Sequence, residues 1–229
     1  MKALFSVTMQ LTKYKDKIPS AIYALLEKEG ITELRPAQAK AIKKGLFDGK
    51  NLLICTPTAS GKTLVAEMAF LHTIKEHKGK AIYIVPLKAL ASEKYRDFKK
   101  KYELLFRISL SIGDLDKKDD YLVHSDLIIC TAEKLDSLIR HECPWLKYVR
   151  LVIVDEIHLM NDVSRGPTLE ILITILKHLL KEMQFLGLSA TIGNPEELAE
   201  WLDAELVIDN WRPVKLKKGV YLEGEVTFE

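Results

Sequence analysis

Seven short apolar runs, each four to six residues long, constrain the fold of this chain more than any other feature. They are NLLIC (51–55), AIYIV (81–85), RISLSI (107–112), DLIIC (126–130), LVIVD (151–155), FLGLS (185–189) and ELVI (205–208). Each is nearly continuous in apolar residues and is punctuated by Pro, Gly, Ser, Thr or Asp, which suits strands buried on both faces. Between them lie stretches with helical spacing: KTLVAEMAFLHTIKEH (62–77), LKALASEKYRDFKKKY (87–102), AEKLDSLIRH (132–141) and PTLEILITILKHLLKEM (167–183). The alternation predicts an α/β fold, a mostly parallel sheet of about seven strands with helices on both faces. The run KKK at 99–101 reads as the solvated end of a helix.

Composition fits one large globular domain: 229 residues, 48% hydrophobic and 29% charged. Net charge is only +2, so any nucleic-acid contact must come from local placement of Lys and Arg. The three cysteines, Cys55, Cys130 and Cys143, lack CxxC spacing and suggest neither a disulfide framework nor a zinc site. The opening MKALFSVTMQ is not followed by a signal-peptide pattern, and no run approaches the roughly 20 apolar residues of a membrane span. The expectation is a cytoplasmic chain with no membrane partner.

The stretch CTPTASGKT (55–63) follows one predicted strand and opens one predicted helix, the context a phosphate loop requires. Backbone N–H groups of such a loop, with the helix N-terminus, form an anion site. Gly61 allows close approach of the backbone, Lys62 reaches the β- and γ-phosphates, and the Thr63 hydroxyl ligates Mg²⁺. The frame departs from GxxxxGK[ST] at its first position, where Thr56 stands. On this stretch alone a plain strand-to-helix turn is the competing reading.

LVIVDEIH places Asp155 and Glu156 at the carboxyl end of a buried strand, the edge where doubly wound sheets bind ligands. Adjacent acids there are expensive without a cation, which favours Mg²⁺ held through Asp155 with Glu156 as a base. The plainer reading is a helix capped by Asp155, with His158 filling space. LSATIGNPEEL (188–198) sets Ser189 and Thr191 at another strand end, before a helix opened by Pro195.

Taken in order, these motifs resemble the first RecA-like domain of superfamily 2 DExH helicases. The segments ELRPAQAKAI, PTASGKTLVAEMA, VPLKALASEKY, TAEKLDSLIRH, DEIHLM, RGPTLE, LSATIGNPEELAEWL and WRPVKLKKGVY resemble most the archaeal DNA-repair helicases of the Hjm group, relatives of the helicase part of polymerase theta. The resemblance covers the chain from about Lys17 onward. It implies a RecA-like P-loop domain over 17–209, a segment without signal over 1–16, and a crossing segment over 210–229. Thr56 stands where Ala is frequent in the superfamily, and Ala59 replaces a frequent Gly.

The resemblance also implies roles. Gln38, in RPAQ, reads the adenine edge, a task suited to its paired donor and acceptor groups. Thr56, Pro57, Thr58, Ala59, Ser60, Gly61, Lys62 and Thr63 wrap the phosphates of ATP. Asp155 holds Mg²⁺, Glu156 activates the attacking water, and His158, Ser189, Ala190 and Thr191 link hydrolysis to movement. Pro86 and Lys88 in PLKAL, Gly113 and Asp114, and Thr131 and Lys134 in TAEK contact the backbone of a single strand. Lys88 and Thr131 sit where strands give way to helices, so N–H donors and a hydroxyl can meet phosphate without reading sequence. The plainer reading of both is a helix cap.

The implied activity is ATP-dependent unwinding of single-stranded or forked DNA with 3′→5′ polarity. An RNA helicase and a non-catalytic, nucleotide-dependent binding module remain as alternatives, since backbone contacts do not see base identity. Helicases of this kind hold ATP between two RecA-like domains, and the second supplies arginine fingers worth about 10³ to 10⁵ in rate. After SAT this sequence carries one more helix, one more strand and WRPVKLKKGVYLEGEVTFE. The expectation is a chain that binds ATP but hydrolyses it poorly until a second RecA-like domain docks.

Overall fold

A computed structural model describes residues 8–113, 119–141, 143–214 and 219–228. Its first element, β1 (Met9–Gln10), pairs antiparallel with β2 (Glu33–Leu34), and a 3₁₀ turn over Leu11–Lys17 lies between them. Leu11 and Tyr14 are buried in the same cluster as Ile22 and Leu26 of α1 (Ser20–Lys28). The described part of the 1–16 segment therefore packs against the main body. Its few apolar anchors are spaced too irregularly to give a periodic signal.

α2 (Pro36–Lys43) opens with proline at its first turn and leads to β3 (Leu52–Cys55). From there strands and helices alternate: α3 (Lys62–Lys75), β4 (Lys80–Val85), α4 (Lys88–Tyr102), β5 (Ile108–Ser111), β6 (Leu127–Thr131), α5 (Ala132–Arg140), β7 (Val149–Val154), α6 (Gly166–Leu179), β8 (Gln184–Ser189), α7 (Pro195–Leu202) and β9 (Glu205–Ile208). All seven expected strands form. They make one parallel sheet in the order β5-β6-β4-β7-β8-β3-β9. A separate antiparallel hairpin, β10 (Gly219–Leu222) with β11 (Glu225–Phe228), is exposed throughout its described residues.

Strand residues alternate between two apolar clusters. Leu52, Ile54 and Tyr83 face a cluster with Val65 of α3 and Phe98 of α4, whereas Leu53 and Ile84 face Leu135 of α5 and Leu172 of α6. Burial on both faces is what turns an alternating pattern into continuous apolar runs. α6 stops at Leu179, four residues short of the expected 183, because Gln184 already begins β8. Its start is fixed by Gly166, where a Cβ would lie 2.0 Å from the Met160 carbonyl oxygen.

Strand order decides where the motifs fall. Gly113, TAEK and PLKAL follow the neighbouring strands β5, β6 and β4, while SAT and the phosphate loop follow the neighbours β8 and β3. DEIH follows β7, between the two groups.

Candidate nucleotide site at the carboxyl edge of the sheet

The loop between β3 and α3 is fastened from within. The Thr56 N–H donates to the Ser189 carbonyl at 3.2 Å, and the hydroxyls of Thr56 and Ser60 lie 2.6 Å apart, both buried. Pro57 is buried beside them, and Thr58 and Ala59 form the exposed crest. Ala59 holds a left-handed backbone, φ +64°, which explains why Gly suits this position and marks it as strained for Ala. Gly61 is left-handed too, φ +93°, and a Cβ there would fall 2.4 Å from Gln38 Nε2. The close approach at Gly61 is therefore to Gln38 as well as to any phosphate.

Gln38 is buried, although an isolated helix glutamine reads as a surface residue. Its Oε1 accepts the Arg35 N–H at 2.8 Å and its Nε2 donates to the Gly61 carbonyl at 3.0 Å. One donor and one acceptor position remain on the amide. Arg35 was not singled out in the sequence, yet its Nη1 donates to the Ala59 carbonyl at 2.7 Å and its guanidinium lies 5.4 Å from the Trp211 ring centroid. That places the start of the crossing segment against the loop.

Beside the loop is a cleft of about 430 Å³ whose walls include Thr58, Lys62, Thr63, Asp155 and Glu156. Lys62 is buried, with Nζ donating to the Thr56 carbonyl at 2.9 Å. Burial pushes its pKa down, while Glu156 and Asp155 pull it back up, so the lysine feels both acids. A larger cleft of about 720 Å³ lies at the opposite edge of the sheet, near Asn51 and Asp203, and is lined by none of the candidate site residues. Chemistry, not size, locates the site.

Asp155 is buried and held at both oxygens: Oδ2 accepts from the Tyr83 hydroxyl at 2.8 Å and Oδ1 from the Glu156 N–H at 3.0 Å. It does not cap a helix. The 3₁₀ turn Ile157–Asn161 starts after Glu156, itself left-handed at φ +51°, a strained conformation of the kind found at functional sites. His158 bridges two motifs, since its Nδ1 lies 3.3 Å from the Ala190 N–H and 3.4 Å from Glu156 Oε2. One nitrogen cannot serve both at once: a neutral ring accepts from Ala190, and only a protonated Nδ1 donates to Glu156. Ser189 is fully buried and Thr191 exposed. Cys55 is buried, which pushes its thiol up to about 11 and agrees with an inert side chain.

The other motifs are brought together unequally. Pro86 is half-buried and Lys88 exposed at the start of α4, whose cap residue is Leu87, so Lys88 is no cap. Thr131 is a cap, its buried hydroxyl accepting the Lys134 N–H at 3.4 Å. Lys134 departs from expectation: it is 1% exposed, and its ammonium lies 3.4 Å from Asp119 Oδ2. The ammonium is thus paired inside the protein rather than presented at the surface as Lys88 is. Gly113 adopts φ +101°, and Asp114 lies outside the described residues.

Oxygen donors at Thr63 and Asp155 suit a hard cation such as Mg²⁺. Among the described residues no group of three or more His, Cys, Asp or Glu could hold a metal alone. The donor set fits a magnesium that completes its shell with phosphate and water. No helix among the described residues is long and apolar enough to cross a membrane.

Comparison with known proteins shows the family. The model of the DEAD/DEAH box helicase family matches residues 35–198. Among curated relatives, the ATP-dependent DNA helicase Hel308 of Methanocaldococcus jannaschii is 58% identical over 214 residues, covering 90% of this chain and 18% of its own length. Hel308 of Pyrococcus horikoshii is 51% identical over 213 residues, 93% of this chain and 29% of its own. This chain therefore spans less than a third of these relatives. The crystal structure of the DUF1998 helicase MrfA bound to DNA superimposes with a TM-score of 0.72 at 28% identity, over 85% of this chain and 30% of that one. With motif order, sheet order and family match in agreement, the chain belongs to the DEAD/DEAH box helicase family.

Proposed function

We propose that this domain binds Mg-ATP in the cleft between the phosphate loop and the DEIH strand, as the nucleotide-binding half of an ATP-dependent DNA helicase acting in repair or at replication forks. Gln38 orients the base with its free donor and acceptor. The loop from Thr56 to Thr63 meets the phosphates with backbone N–H groups, and Lys62 gives up the Thr56 carbonyl for a phosphate oxygen. Thr63 and Asp155 would hold Mg²⁺, which would supply positive charge to offset that developing on the transferred phosphoryl group. Glu156 takes the proton of the attacking water.

The observation that carries this reading is the order of strand ends. The motifs proposed to hold the single strand follow β5, β6 and β4, the nucleotide motifs follow β8 and β3, and DEIH follows β7 between them. His158, within reach of both Glu156 and Ala190, is the coupling residue of this arrangement, with Ser189 and Thr191 carrying the shift at the end of β8. Lys88 and the N–H groups opening α4 and α5, with Pro86, Gly113 and Thr131 shaping the edge, track phosphates. A second RecA-like domain, in the same longer protein or in a separate chain, closes the nucleotide cleft and supplies the arginines that efficient turnover needs.

Titration of a fluorescent ATP analogue into this domain with Mg²⁺ tests the site. Lys62→Ala is expected to weaken binding roughly ten- to hundredfold, the loss of a charge-assisted contact. Equal binding by both proteins contradicts the assignment. Binding to matched DNA and RNA strands at several salt concentrations tests the partner. Each phosphate neutralised adds about −0.7 to the slope, and preference for RNA contradicts the DNA reading.

A further inference from the structure

One lysine in the cleft belongs to none of the assigned roles. Lys94, in the second turn of α4, donates from Nζ to Thr63 Oγ1 at 3.3 Å and lines the same cleft as Lys62, Asp155 and Glu156. Thr63 is the residue whose hydroxyl is assigned above to Mg²⁺. An ammonium and a divalent ion repel one another at that separation, so the two do not share one hydroxyl. The lysine must move when the metal arrives, and its flexible four-carbon stem permits this.

Charge decides where it goes. Asp155 already accepts from Tyr83 on one oxygen and from the Glu156 N–H on the other. Arg35 and Lys62 already offset the two acids lining the cleft, so Lys94 leaves it with a net positive charge. A triphosphate brings its densest negative charge to its terminal group, beside the metal.

We propose that Lys94 is a positioning residue that exchanges the Thr63 hydroxyl for an oxygen of the terminal phosphate, so that the cleft favours a nucleoside triphosphate over a diphosphate. The inference rests on the nucleotide-site reading and adds a residue to it. α4 begins at Lys88. The helix that reports the terminal phosphate is then also the one that starts at the proposed single-strand edge.

The test measures equilibrium binding of fluorescent ADP and of a fluorescent non-hydrolysable ATP analogue, both with Mg²⁺, to the wild-type chain, Lys94→Met and Lys94→Arg. Lys94→Met is expected to lose roughly tenfold or more affinity for the triphosphate, with ADP affinity changed by less than about twofold. Lys94→Arg is expected to keep most of the preference, because it keeps the charge. An equal loss for both nucleotides, or no loss for either, overturns the inference. Wild-type binding of neither nucleotide overturns the nucleotide-site reading, and this inference falls with it.

Discussion

The hydroxyl of Tyr83, in the fully buried middle of β4, donates a 2.8 Å hydrogen bond to Oδ2 of Asp155 at the end of the neighbouring β7. Burial first, and Asp155 second, push the phenol pKa far above its ordinary value, so the group stays a donor. The bond fixes the carboxylate assigned to Mg²⁺ from behind. Tyr83→Phe is expected to keep the fold at a cost of about 1 kcal/mol and to raise severalfold the Mg²⁺ concentration that half-saturates nucleotide binding. A magnesium titration checks this, and an unchanged midpoint reduces Tyr83 to packing.

Ala59 stores strain. A left-handed non-glycine residue costs about 1–2 kcal/mol, and glycine relieves that while adding about 0.4–1 kcal/mol of unfolded-state entropy. Ala59→Gly is therefore expected to stabilise the domain by about 0.5–1 kcal/mol, a rise of roughly 1–4 °C in Tm. Thermal unfolding reads it directly, and a lowered Tm shows that the loop is not strained at Ala59.

Lys88 and Lys134 separate surface from core. Lys134→Ala takes the ammonium from Asp119, which keeps its bond from the Ser111 hydroxyl, and is expected to cost about 3 kcal/mol, the lower end of the penalty for breaking a buried pair, with the salt slope of single-strand binding unchanged. Lys88→Ala is expected to leave stability within about 0.5 kcal/mol and to reduce that slope by about 0.7. Urea unfolding and salt-dependent binding, run on both variants, check the two halves; a reversed pattern moves Lys134 back to the surface.

His72 gives the domain a pH dependence unrelated to its chemistry. The ring is buried on α3, edge-on to Phe47 and His77, and burial depresses its pKa with His77 adding to the effect. The unfolded chain then binds the proton more readily than the folded one. The stability this neutral ring contributes is complete above the unfolded value of about 6.5 and is lost as pH falls from there through the folded pKa. Tm measured from pH 7.5 down to 5 is expected to drop, and His72→Gln to flatten that drop; an unchanged profile in the variant assigns the loss to other groups.

Most of the fold was legible because a parallel sheet buried on both faces writes itself as apolar runs, and because each phosphate or metal motif had to lie at a strand end. The residues that escaped reading are those whose role is tertiary. Tyr83 reads as one more apolar strand residue until β4 and β7 are seen side by side. Lys94 reads as a solvated helix lysine until α4 is seen against the start of α3. Arg35 precedes a helix and gives no local hint that it bonds to Ala59. Lys134 is the converse case, a charged residue beside a motif threonine that the sequence places outside and tertiary packing buries against Asp119.

Steady-state hydrolysis of Mg-ATP by this chain, with and without single-stranded DNA and with Lys62→Ala as control, tests the central claim most directly. The expected result is nucleotide binding that depends on Lys62 together with negligible turnover whether or not DNA is present. Strong DNA-stimulated turnover that Lys62→Ala abolishes would contradict the need for a second RecA-like domain.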